Sequence, residues 1–141
     1  IMDFLLVQPD EWRTIIDFGL LVLIWLVQLI IYPGFQFIQA DAFPRWYKNY
    51  MFNISILVIP LMLAQVLLVM YQLYATPNTA VYLSALLIPW IWLSTFFQVV
   101  PIHNALTAGL DTASNMQQLV AKNKVRTILW TIVFGLGLYR G

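Results

Sequence analysis

Cysteine is absent from the chain, histidine occurs once, and charged side chains make up only 9% of its 141 residues. Without cysteine there is no disulfide framework, no thiolate metal site and no cysteine nucleophile. With His103 alone, bis-histidine haem ligation within one chain, a two-histidine iron site and a histidine-rich zinc site all fail. A Ser–His–Asp triad is not credible, because Asp111, the only acid nearby, fits a helix cap better. A net charge of +1 gives no reason to expect a nucleic-acid partner. Asp3, Asp10 and Glu11 make the start of the chain the opposite of a signal peptide's basic n-region. Ile1 in first place and the end at "GLGLYRG" raise the expectation of a chain trimmed at both termini.

What the chain has in excess is apolar surface. Hydrophobic residues reach 62%, against roughly 45–50% in soluble domains. A membrane-spanning helix needs about 20 mostly apolar residues, and the sequence offers four such stretches: about 14–32, 50–75, 80–100 and 122–140. "TPNT", 76–79, makes the tight turn between the second and third. "PGFQFIQ" continues the first span past a kink, and "DAFPRWYKNY" reads as a helix start with Asp41 as N-cap and Pro44 in the first turn. Pro60 and Pro89 should kink spans two and three. Asp111 or Thr112 caps "TASNMQQLVAKNK", whose apolar positions Leu110, Ala113, Met116, Leu119 and Val120 fall at helical spacing. A short amphipathic interfacial helix is therefore expected at about 111–122, lying on the membrane or leading into span four. The fold class is all-α: one integral membrane four-helix bundle occupying residues 1–141 as a single domain.

Basic residues set the orientation. Arg45, Lys48, Lys122, Lys124 and Arg126 are expected at one interface, against only Arg13 and Arg140 at the other, so both termini face away from the cytoplasm. Trp12, Trp46, Tyr47, Tyr50 and Tyr139 sit near span ends, where aromatic belts form.

Polar residues inside the spans are the functional candidates, since ionisable groups in lipid are costly. Asp17 is about one turn inside span one, and Arg140 closes span four on the same side, which suggests a structural ion pair. Asp17 and Gln28 are three helical turns apart and share a face. Ser84, Ser94, Thr95 and Gln98 fall near one stripe of span three. Gln28, Asn53, Ser55 and Gln98 cluster towards the cytoplasmic level, with Tyr47, Tyr50, His103 and Asn104 just beyond. Such groups act most often as interhelical glue; their functional reading is a small polar pocket made by Gln28, Tyr47, Tyr50, Asn53, Gln98 and Asn104, with His103 at its mouth. A lone imidazole there is a helix-end residue, a single axial ligand or a general base, so His103 is the one catalytic candidate, and no metal site is expected. Trp90 and Trp92 fall on nearly opposite faces of span three, while Trp25 and Trp130 lie deep and suit core packing.

Four stretches are jointly familiar: "YPGF", "PLMLAQ", "WLSTFFQVVPIHNALTAGLD" and "LVAKNKVRTILW". From about Tyr32 onwards the chain resembles small four-span bacterial membrane proteins of unknown function that are distantly similar to the anthrone-oxygenase-like family. The resemblance is most specific at Pro101, His103 and Asn104, and at Asn123, Arg126, Thr127 and Trp130. It implies four helices in the bacterial cytoplasmic membrane and, for some relatives, cofactor-free oxidation of aromatic polyketides. Those sequences often carry histidines before span two, where this chain has "WYKNYM".

Two functions compete on these grounds. One is a non-catalytic accessory subunit of a larger respiratory or photosynthetic membrane complex, favoured by small size and outward tryptophans. The other is a membrane enzyme or binding protein for a small hydrophobic aromatic molecule, with His103 as general base. The expected partners are the lipid bilayer and other membrane-protein subunits, and no nucleic acid. No cofactor is required, although a lipid, quinone or pigment would fit the aromatic interior. A transporter fits poorly, since no inverted repeat is present.

Overall fold

The structure, a computed structural model, describes residues 8–110 and 112–139, with backbone only at Val99. Of the described residues 90% are helical, and none lies in a strand. Four long helical segments follow one another: α1, Pro9–Phe37; α2, Phe43–Ala75; α3, Thr79–Thr107; and α4, Thr112–Leu138. They touch in chain order, α1 on α2, α2 on α3 and α3 on α4, and α4 returns to α1. Segments α1, α2 and α3 are long and apolar enough to cross a membrane. The fourth expected span does not meet that measure, because Lys122, Lys124 and Arg126 interrupt its apolar run. Of the two courses expected for the helix at about 111–122, leading directly into the fourth segment is the one observed: residues 112–138 form one continuous helix rather than two elements. Asp111, the suggested cap, lies outside the described residues.

Two of the prolines account for the places where the helices change pitch. A proline has no N–H to donate, and its ring crowds the carbonyl four residues back. Before Pro33 the chain widens into a π turn at Val27–Ile31, and before Pro101 into another at Thr95–Val99. π turns of this kind recur at functional sites. Pro60 and Pro89, the expected kink positions, remain inside uninterrupted α-helix.

Helix ends follow local chemistry in most places. Asn78 starts α3, its side chain accepting the Val81 N–H at 2.9 Å, as a helix cap should. Gly109 ends it at φ 74°, with Gly109 N–H donating to Leu106 O and Leu110 N–H to Ala105 O. That pair of bonds is a Schellman motif, which needs a left-handed residue and so favours glycine. At α2 the cap is Ala42 rather than Asp41, without a side-chain cap bond, and Pro44 is in the first turn as expected.

Two apolar clusters fill the interior. One, near the centre and the 76–79 turn, joins Leu20, Ile24, Met62, Val69, Ile88, Ile91, Trp130 and Val133. The other lies at the opposite end, around Phe35, whose ring meets Phe43, Trp46, Tyr47 and Tyr50 edge-on at 5.4–5.9 Å. Edge-to-face pairs add about 0.5–1.5 kcal/mol each beyond burial. They hold the 3₁₀ turn Phe35–Phe37 against the start of α2.

Candidate functional site

Polar side chains gather inside the assembly at two levels, each centred on an arginine. The first is near the 76–79 turn. Arg13 is 1% exposed, and four hydrogen bonds use its guanidinium. Nε donates to Asp17 Oδ2 at 3.1 Å, Nη1 to Gln72 Oε1 at 3.0 Å, and Nη2 to Ser84 Oγ at 2.6 Å and Val133 O at 3.3 Å. The second carboxylate oxygen of Asp17 accepts from Gln65 Nε2 at 2.8 Å, and Gln65 Oε1 accepts from Trp130 Nε1 at 3.3 Å. Gln72 also donates to Asp10 Oδ1 at 2.6 Å. Every one of the four segments contributes a group. Gly137 makes this packing possible, since a Cβ there would sit 2.8 Å from Asp17 Oδ2 and 3.2 Å from Arg13 Nε.

This arrangement is a lock. Its charges are paired and its hydrogen bonds are made, which is the condition for tolerating ions away from water. Asp17 is a buried ionisable group, as its position in the sequence suggests, and Arg13, four residues earlier, is its ion-pair partner. Arg140, the partner expected from sequence, lies outside the described residues.

The second level is at the other end and is built differently. A cavity of ≈330 Å³ lies between the four segments. Its walls are largely apolar, from Leu20, Ile24, Val27, Ile54, Val58 and Met62 among others, and its polar end is formed by Tyr32, Tyr50, His103, Asn123 and Arg126. Arg126 is only 6% exposed, unlike Arg45, Lys48, Lys122 and Lys124, the basic residues grouped with it in the sequence. The buried residues Leu119, Asn123, Arg126, Trp130, Val133 and Gly137 recur every three or four positions, so α4 turns Arg126 inward with them. Its Nη1 donates to Asn123 Oδ1 at 3.2 Å, and its guanidinium carbon stands 5.1 Å from the centre of the Trp130 ring. Its Nε finds no acceptor among the described residues, and no carboxylate pairs with it there. His103 Nδ1, Trp92 Nε1 and Tyr47 Oη are likewise buried without a hydrogen-bond partner among the described residues. His103 and Trp92 both line the cavity.

Of the pocket expected from sequence, Tyr50 and His103 line this cavity. Gln28 stands behind it, accepting from Asn123 Nδ2 at 2.9 Å and so fixing the amide that orients Arg126. Tyr47 is buried against the His103 ring, centroids 5.5 Å apart, without reaching the cavity. Asn53, Gln98 and Asn104 are exposed and outside it. Asn104 follows His103 by about 100° of helical rotation, and the π turn at Thr95–Val99 shifts Gln98 off the stripe of Thr95. Ser94 instead donates to Gln98 Oε1 along the same exposed face. Arg45, Lys48 and Lys124 are exposed and Lys122 is half-buried, so all four reach the surface. Trp90 is 63% exposed, whereas Trp92 faces inward as the opposite-face reading requires.

The cavity opens sideways. Ile59, Leu63 and Phe96, each at least half exposed, form part of its rim between α2 and α3. Leu63, Trp92 and Phe96 are shared with a mostly apolar groove that runs on between the same two helices past Met70 and Pro89. Among the described residues no three histidine, cysteine, aspartate or glutamate side chains converge as a metal site. What the arrangement can do is hold a mostly apolar molecule and offer its head hydrogen-bond donors and one cation. Sequence reasoning missed Arg13, Gln65, Gln72 and Arg126 as interior groups; the only local signal was the Arg13/Asp17 spacing and the inward period of α4. No protein-family model matches the chain, nor does any curated protein or solved structure.

Proposed function

We propose that this chain is an integral membrane protein whose four helical segments all lie in the bilayer, and that it binds a small hydrophobic molecule in the cavity capped by Arg126. Three segments are apolar enough to span, and α4 packs against α1 and α3 along its length, so its charged stretch is partly sheltered. The surface-reaching basic residues Arg45, Lys48, Lys122 and Lys124 gather at the Arg126 end, while Arg13 at the other end is buried in an ion pair. That asymmetry supports both termini facing away from the cytoplasm.

The observation that carries the binding reading is the unsatisfied polar end of the cavity. Buried polar groups are nearly always hydrogen-bonded, and exceptions call for an explanation. Here Arg126, His103 and Trp92 all line one space of ≈330 Å³, and each carries a buried nitrogen, Nε, Nδ1 and Nε1, without a partner among the described residues; the volume is within the range of about 300–1,000 Å³ for small-molecule sites. A lateral rim suits a ligand that arrives from the bilayer. A catalytic form of this reading gives His103, with Nδ1 free, the removal of a proton from the bound molecule, a contribution of about 10²–10⁴-fold.

The test is a fluorescent neutral apolar probe titrated into the protein in nanodiscs. Saturable binding is expected for the wild type and its loss for Val58→Trp, which fills the cavity. Partitioning alone, equal in both proteins, contradicts the reading. Recovery of the protein only in fixed stoichiometry with another membrane subunit, with no saturable site, would instead favour the accessory-subunit function.

A further inference from the structure

We infer that the ligand is a single-chain amphiphile with an oxyanion head, held by Arg126 and lying with its chain between α2 and α3. The inference rests on the binding reading above and names the class of molecule. An arginine that is 94% buried, with no carboxylate beside it among the described residues, is an uncompensated charge in an apolar wall. Such a charge is expensive away from water unless paired. At the other end of the same helices Arg13 has its carboxylate built in. Arg126 therefore lacks from the chain what Arg13 is given by it, and an anionic ligand supplies it.

The neighbouring groups ask for the same chemistry. Arginine and the tryptophan indole are donors only, so the unpartnered Arg126 Nε and Trp92 Nε1 both need an acceptor. The planar guanidinium favours a carboxylate or phosphate oxygen pair. Its Nη1 is tied to Asn123 and its face rests over Trp130, which leaves the Nε edge without a partner among the described residues. Beyond the head the walls are apolar, and the space continues through the gate formed by Leu63, Trp92 and Phe96 into the groove along α2 and α3. A head of one oxyanion and a tail of hydrocarbon matches that sequence of surfaces. A cavity of ≈330 Å³ is at the small end for ligand sites, which suits one chain better than a two-chain lipid.

The probes are palmitate and its methyl ester, titrated into the wild type in phosphatidylcholine nanodiscs. Palmitate is expected to bind one per chain, about tenfold or more tighter than the ester, as a charge-assisted contact implies. Arg126→Gln should abolish that preference while the ester still binds. Equal affinity of acid and ester for the wild type overturns the oxyanion inference and leaves the cavity reading standing. Absence of saturable binding by either overturns both. The wild-type comparison decides the matter even if Arg126→Gln does not fold. A third arm replaces part of the phosphatidylcholine with phosphatidylglycerol. If that displaces palmitate, the oxyanion is a two-chain lipid's headgroup and the single-chain assignment is overturned; if it does not, the single-chain acid stands.

Discussion

Arg13 and Arg126 are buried to nearly the same degree, yet among the described residues Arg13 donates four hydrogen bonds and Arg126 one. Around Arg13 the donors and acceptors come from all four segments, and the nearest space is closed by Gly137. Around Arg126 the same four segments part to leave a cavity. The difference follows from what each helix offers at that level. Near Arg13, α2 presents Gln65 and Gln72 and α3 presents Ser84; near Arg126 they present mainly apolar groups such as Ile54, Val58 and Val100, and Tyr50 and His103 make no hydrogen bond to it. Trp130 stands between the two levels, its indole N–H bonded towards Asp17 through Gln65 and its ring beneath Arg126. One end holds the helices together, and the other is free to hold something else.

The largest loss of stability is expected at Asp17. Asp17→Ala leaves Arg13 buried without its counter-ion, and removal of one partner from a buried pair costs roughly 3–5 kcal/mol. Unfolding of the variant in detergent micelles should show that loss. A wild-type midpoint would mean that water already screens the pair. A smaller effect is expected at Gly137. Gly137→Ala places a methyl group against Asp17 Oδ2, and overpacking of this kind costs about 1–3 kcal/mol. The same unfolding measurement checks it, and the probe affinity of the cavity should stay unchanged, because Gly137 lies outside its walls.

Much of the frame is legible in the sequence because its causes are local. The turn at 76–79 follows from Pro77 and Asn78, and the long apolar stretches announce the spans before any packing is known. The continuous course of α4 is harder to read, since a polar first half and an apolar second half look like two elements until the inward period from Leu119 to Gly137 is followed through both. The site is less legible for a different reason. Arg13 meets Gln72, Ser84 and Val133 across separations of 59, 71 and 120 residues, which no local pattern encodes. His103 and Tyr50 were recognisable as polar groups at the right depth. Asn53, Gln98 and Asn104 shared that depth but not the angle, and small changes of pitch at the π turns decide angle. Arg126 was obscured by Lys122 and Lys124, with which it shares charge but not a helix face.

On the binding reading proposed above, one arginine is structural and the other is kept for a ligand. That division is tested most directly by unfolding Arg13→Leu and Arg126→Leu side by side, in the same micelle and without added ligand. Arg13→Leu strands Asp17 as a lone buried charge and should lose roughly 3–5 kcal/mol. Arg126→Leu replaces an uncompensated buried charge by an apolar side chain and should be as stable as the wild type or more so. A loss at Arg126→Leu equal to that at Arg13→Leu would contradict the account, for it would make both arginines parts of one structural lock.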